Sequence, residues 1–117
     1  MRIAIFLLTA ACALQAQNAV TPGRFHAGHP TLLNLGFEWA IQGDANRNAT
    51  VEVRFRKAGT QAWRAALPLL RIGGERVYRE RESMTYTVPH GFAGSILNLE
   101  PETSYECEFT MKDPDGV

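Results

Sequence analysis

The stretch Leu97–Met111, L-N-L-E-P-E-T-S-Y-E-C-E-F-T-M, constrains this chain more than any other. In its second half Tyr105, Cys107, Phe109 and Met111 are apolar or aromatic, while Glu106, Glu108 and Thr110 are polar. Successive side chains of an extended strand point to opposite faces. A two-residue alternation therefore describes a strand with one buried face and one wet face. Leu97 and Leu99 begin the odd-numbered series upstream, and Pro101 and Thr103 interrupt it where a corner is needed. The run predicts a strand end, a corner and then a strand.

Two further segments carry the same period. Over Leu33–Gln42, Leu33, Leu35, Phe37, Trp39 and Ile41 alternate with Asn34, Gly36, Glu38, Ala40 and Gln42. Over Ala49–Lys57, Val51, Val53 and Phe55 point one way and Glu52, Arg54 and Arg56 the other. Gly43–Asn48, G-D-A-N-R-N, separates them as a turn by composition. Gly59-Thr60 turns the chain again just before Trp63. Residues 64–95 are less regular. Ala65–Leu70 is apolar but holds Pro68, which argues against a helix. Gly73-Gly74 signals a turn, Arg76–Arg81 is strongly charged, and Met84–Val88 alternates weakly enough for a short strand. Pro89-His90-Gly91 breaks that strand, and Phe92–Ser95 leads into the Leu97 run. Asp113-Pro114-Asp115-Gly116 is a final turn signature. Gln17–Pro30, with Pro22, Gly23, Gly28 and Pro30, reads as a lead-in segment with an edge strand near its end. Short strands, frequent turns and no helical period give an all-β sandwich.

Residues 1–16 belong to export rather than fold. Arg2 supplies a positive start, Ile3–Leu14 an apolar stretch and Leu14-Gln15-Ala16 a small-residue cleavage site before Gln17, the pattern of a secretory signal peptide. The apolar stretch is too short to span a bilayer. Cys12, after Thr9-Ala10-Ala11, offers a lipoprotein alternative, but the leucine usual three residues before such a cysteine is absent. The expected location is secreted, periplasmic or at the cell surface. With residues 1–16 removed, Cys107 has no cysteine to pair with. It sits on the buried face of its strand and reads as a small core residue rather than a reactive thiol.

Leu97-x-Leu99-x-Pro101-x-Thr103-x-Tyr105 resembles the corner before strand F of fibronectin type III domains, where a tyrosine hydroxyl returns to the corner backbone. Leu35-x-Phe37-x-Trp39 resembles strand B of that family, whose tryptophan lies in the core. Val51-x-Val53-x-Phe55-Arg56, followed by Gly59 and Trp63, resembles strand C and its turn. The resemblance covers about residues 31–117 and implies a fibronectin type III or immunoglobulin-like sandwich. It makes Trp39, Val53, Phe55, Leu99, Pro101, Tyr105, Cys107 and Phe109 structural positions. The family also has a last strand, G, beside F. The chain stops at the F–G turn, so the expectation is a domain lacking that strand, a fragment of a longer polypeptide, with Phe109 and Met111 partly uncovered. More loosely, F-E-W-A-I-Q-G-D-A-N-R-N-A and L-P-L-L-R-I-G-G-E are similar to the leading module of large secreted bacterial proteins that continue into a right-handed parallel β-helix.

The charge pattern fits that arrangement. Net formal charge is zero, which gives no reason to expect nucleic acid as a partner. Yet residues 47–81 hold nine basic groups against three acidic ones, and residues 82–117 one against seven. Strands C and F are neighbours in the family, so Arg54 and Arg56 are expected to face Glu106 and Glu108 on one outer surface.

No constellation reaches the specificity of a catalytic site, and the sequence calls for no cofactor. His26-Ala27-Gly28-His29 lacks a third ligand and a defined element for a metal. His90 has no carboxylate beside it in sequence. Asp113-x-Asp115-Gly116 resembles the opening of a calcium loop but reads as a plain turn. Asn48-Ala49-Thr50 is a glycosylation sequon, relevant only in a eukaryotic secretory route. Arg71, Arg76, Arg79 and Arg81 form the densest basic cluster and the candidate interaction surface, diluted by Glu75, Glu80 and Glu82. Three functions are compatible with these residues. The first is a non-catalytic accessory module at the front of a secreted bacterial protein, its partner a downstream domain of the same polypeptide. The second is a module for a glycan or other cell-surface ligand, using the Arg71–Arg81 hairpin or Trp63. The third is the leading domain of a secreted hydrolase, either a polysaccharide-acting β-helix enzyme or a metallophosphoesterase.

Overall fold

The alternating segments become the framework of two antiparallel sheets. The computed structural model describes residues 17–78 and 85–117. The expected signal peptide, Arg79 and Arg81 lie outside the described residues. The strands are β1 (Val20–Ala27), β2 (Leu35–Gly43), β3 (Thr50–Lys57), β4 (Arg64–Ala65), β5 (Leu70–Ile72), β6 (Arg76–Tyr78), β7 (Thr85–Thr87), β8 (Gly91–Ile96) and β9 (Tyr105–Lys112). One sheet has the order β1-β2-β8-β5, the second β4-β3-β9, and β6 and β7 form a separate hairpin. The architecture is an all-β sandwich, as the alternation and the turn signals predict.

Inward-facing residues of both sheets make the core. Val20, Phe37, Ile41, Phe92 and Ile96 come from the four-stranded sheet, and Val51, Val53 and Phe55 from β3. Leu69 and Leu99 fill the space at the crossings between them. Trp39 shares the inner face of β2, but Phe37 is the buried aromatic of that strand; Trp39 packs half-buried at the margin of the core. Burying a side chain of this size contributes about 1.5–3 kcal/mol, so this row of small strands holds together through its inner face.

Two strands differ from expectation, and in both the cause is small residues that obscure the period. The lead-in segment is a full strand: β1 pairs with β2 from Val20↔Gly43 to Ala27↔Phe37, with a register shift between Pro22 and Phe25. An edge strand tolerates Pro22 because its outer side needs no donor. The second is β8, a central strand written G-F-A-G-S-I. A side chain at Gly91 would place its Cβ 2.6 Å from the Trp39 carbonyl oxygen, and one at Gly94 would lie 2.9 Å from Leu69 Cδ2. Phe92 and Ile96 alone supply its buried face.

The apolar segment around Pro68 carries the chain from one sheet to the other. The amide of Leu69 donates to the Val51 carbonyl at 3.0 Å, while the next residue, Leu70, already pairs with Ala93. Pro68 argues against a helix in this segment, and the structure makes it the sheet-switching corner.

Candidate interaction surface

The corner before β9 is built as its residues suggest. The amide of Glu100 donates to the Tyr105 hydroxyl at 2.9 Å, and Thr103 Oγ1 donates to the Pro101 carbonyl at 3.0 Å. Leu99 is buried, and its amide donates to the Leu33 carbonyl at 2.8 Å, strapping the corner to the residues that open β2. Pro101 is exposed at the apex.

Beyond the corner, β9 runs antiparallel to β3 from Lys57↔Tyr105 to Thr50↔Lys112. On the outer face Arg54 meets Glu108 at 2.7 Å, Arg56 meets Glu106 at 2.6 Å, and Lys112 meets Glu52 at 2.8 Å. The hydrogen bond from Arg54 holds the Glu108 carboxyl below its ordinary range and raises the guanidinium of Arg54 in turn. The opposed charges of the two halves of the chain thus meet strand against strand.

Trp63 lies on this ladder and not in the core. The guanidinium carbons of Arg54 and Arg56 stand 4.6 and 4.3 Å from its ring centroid, a double cation–π contact. The fibronectin type III resemblance implies a core-packing position for Trp63 as well as for Trp39; the structure corrects this for Trp63, which is not among the core residues. The reason is local: Trp63 precedes the two-residue β4, which pairs edge to edge with β3 at Arg54 and Phe55 and so brings the indole beside the outward-facing arginines. An indole already covered by two arginines is a poor platform for a sugar.

The inner face of β9 is only half covered. Among the described residues, β9 pairs with β3 alone, leaving its other backbone edge unpaired. Cys107, Phe109 and Met111 are half-buried. Phe109 closes the sandwich against β1 and β2, with its ring centroid 4.9 Å from that of Phe25 and 4.7 Å from that of Phe37. Phe25, 40% exposed, also meets Trp39 edge-on at 5.6 Å. The sequence marks Phe109 for this aromatic seam but not Phe25, which falls in the lead-in segment. Burial pushes the Cys107 thiol up.

The basic cluster is not one surface. Arg71 turns inward, its side chain 11% exposed, and its Nε donates to Asp44 Oδ2 at 2.7 Å. Its Nη1 also donates to the Ile72 carbonyl. Arg71 is therefore removed from the candidate interaction residues: it neutralises a fully buried carboxylate. Arg76 remains exposed on β6, its guanidinium carbon 5.5 Å from the ring centroid of Tyr78. Asp44, a turn residue by sequence, is a buried node that sequence reasoning missed. Its Oδ1 accepts from the amides of Asn48 at 3.0 Å and Ala49 at 3.1 Å, which start β3. The one available signal is an aspartate after glycine in a turn, and such residues usually stay wet.

The remaining candidates are ordinary turn chemistry. Asp113 Oδ1 accepts from the Asp115 amide at 2.8 Å. Asp115 Oδ2 accepts from the side-chain amides of Asn46 at 2.7 Å and Asn48 at 3.0 Å, which lowers its carboxyl below the ordinary range. Both aspartates of the calcium-loop-like sequence and the sequon asparagine are thus engaged within the turns. Among the described residues no three His, Cys, Asp or Glu side chains converge as metal ligands, and no helix is long and apolar enough to cross a membrane. No family model, curated protein or solved structure matches the chain.

Proposed function

We propose that this chain is a non-catalytic, fibronectin type III-like module at the front of a secreted bacterial polypeptide, and that a strand from the remainder of that polypeptide closes β9. The carrying observation is the β9 edge. Among the described residues, the eight residues of β9 present an unpaired edge beside the half-exposed apolar row Cys107, Phe109 and Met111. Open edges of this length template another strand, and stable proteins cover them. Strand order supports a sandwich of the fibronectin type III or immunoglobulin-like kind: β1-β2-β8-β5 and β4-β3-β9 correspond to A-B-E-D and C′-C-F, and the Tyr105 hydroxyl takes the corner bond. A module closed by its own continuation fixes the position of the next domain, and the looser resemblance to proteins with a downstream β-helix makes that the preferred continuation. Reading the gene past the Val117 codon tests this. An open frame with an alternating strand after a loop of about two to five residues supports it. A stop codon at that place overturns it.

A further inference from the structure

On the outer face of the four-stranded sheet, the two central strands β2 and β8 make a floor almost without side chains. On β2, Gly36 and Ala40 stand opposite Ser95 and Gly91 of β8, and Ala93 stands opposite Glu38. Of these only Glu38 reaches beyond a methyl or a hydroxymethyl group. Arg24 and His26 of β1 rise on one side, and Tyr86 and His90, on and after β7, on the other. Between these walls lies a concavity of about 560 Å³. A second, of about 320 Å³, continues past Gly36 and Ser95 toward Gly28, and the two share His26 and Glu38. The result is one open groove crossing the sheet, with a carboxylate at its midpoint.

The chemistry of the groove selects among ligands. A peptide strand cannot be added here, because the backbones of β2 and β8 are already paired on both sides. Ile72 and Val88 add apolar surface at the β5 side, but the glycine, alanine and serine floor between them and β1 gives an apolar helix no continuous face to bury. An acidic chain would meet Glu38 in the middle. What the walls offer is a mixture of acceptors and donors: a carboxylate, a guanidinium, two imidazoles and a phenol. Tyr86, 54% exposed, adds an aromatic ring with one apolar and one wet end. A flat floor, a set of hydroxyl-binding groups and length for more than one ring fit a neutral oligosaccharide. We propose that this groove, walled by Arg24, His26, Tyr86 and His90 around Glu38, binds such a chain. The site is separate from Trp63 and from the β9 edge, so it stands or falls independently of the module reading.

The test is an amide-resolved NMR titration of the full chain with cellohexaose, xylohexaose and maltohexaose, with hexagalacturonate as the acidic comparator. Saturable shifts at Gly36, Glu38, Ala93 and Ser95 with one neutral hexaose, weakening when the disaccharide replaces it, are expected. Gly36→Leu should fill the floor and lower affinity by at least about tenfold. It should keep the fold, because a Cβ at Gly36 meets only Ser95 Oγ, at 3.8 Å. Tyr86→Ala, on an exposed wall, provides a second loss of binding without a core change, and Trp63→Ala should leave affinity unaltered. The proposal is overturned by absence of saturable shifts with all three neutral chains, by shifts centred on Trp63, by tighter binding of hexagalacturonate, or by unchanged affinity in folded Gly36→Leu and Tyr86→Ala.

Discussion

Two sets of arginine–carboxylate pairs hold this sandwich, and they differ in almost everything but their chemistry. At the turn after β2, Asp44 is completely buried and Arg71 nearly so, with Nε and Oδ2 2.7 Å apart. On the outer face of the β3–β9 ladder, Arg54–Glu108 and Arg56–Glu106 are as close, yet three of their four side chains are more than two-fifths exposed. A charge taken out of water needs its partner and further hydrogen bonds, and Asp44 has both: Arg71 on one oxygen, the amides of Asn48 and Ala49 on the other. Water screens the ladder pairs and competes for them. Equal distances therefore describe unequal roles. The node fixes where β3 begins and where β5 lies, and the ladder sets which strands face each other and in what register.

Breaking the node gives the largest effect. Asp44→Ala leaves the Arg71 guanidinium buried without its counter-charge and frees two amides, and should cost about 3–5 kcal/mol in urea unfolding. Arg71→Lys should recover only part of that loss, since an ammonium cannot reproduce the guanidinium fork that reaches both Asp44 and the Ile72 carbonyl. If either change is as mild as a surface substitution, the node does not anchor the fold.

Tyr105→Phe lies between the two extremes. It removes a single neutral hydrogen bond, from the Glu100 amide, at a half-buried corner. A loss of about 1 kcal/mol is expected. The change should leave the β3–β9 register intact, checked by unchanged cross-strand contacts between Phe55 and Cys107.

The same contrast explains what was legible in the sequence. β2, β3 and β9 declare themselves because each has one face of large apolar residues and one of charged or polar ones. The facing of Arg54 and Arg56 with Glu108 and Glu106 comes from that period once the order of strands is assumed. β8 is hidden because Gly91 and Gly94 are demanded by close approach of the Trp39 carbonyl and of Leu69, which is a property of neighbours and not of the strand. Asp44 is hidden for a similar reason: its partner lies 27 residues away on β5, and a turn aspartate carries no local mark of burial. Trp63 misleads because a large aromatic has two ways to leave water, a core or a cover of arginines, and the sequence places Arg54 and Arg56 there only after β3 and β4 are paired. The groove over Gly36 and Ala93 is invisible for the opposite cause, since residues that contribute nothing to a core give no periodic signal at all.

Within the ladder, a double-mutant cycle on Arg56 and Glu106 should give a coupling of about 0.2–1 kcal/mol, toward the upper end because Arg56 is the more covered partner. The coupling should shrink between low salt and 1 M salt, where the screening length falls to about 3 Å. A salt-independent coupling would mean that the pair acts through packing on Trp63 rather than through charge, and Trp63→Ala would then abolish it.

The smallest effect is the acid titration of Glu108. Its carboxyl is held below the ordinary value first by the hydrogen bond from Arg54, opposed by desolvation, with the charges of Arg54 and then Arg56 adding to the lowering. A carboxyl lowered on folding binds fewer protons in the native state than in the unfolded chain. Its contribution to stability is therefore complete above the unfolded value and disappears as the pH falls through the lowered native one. Arg54→Gln should move the Glu108 midpoint, tracked by side-chain NMR, back toward the ordinary carboxylate range and flatten that part of the acid limb. The node makes the decisive contrast. If Arg54→Gln shifted the main acid unfolding transition as far as Asp44→Ala shifts the urea midpoint in energy, the exposed ladder would be carrying the fold, and the separation of anchor from register would be wrong.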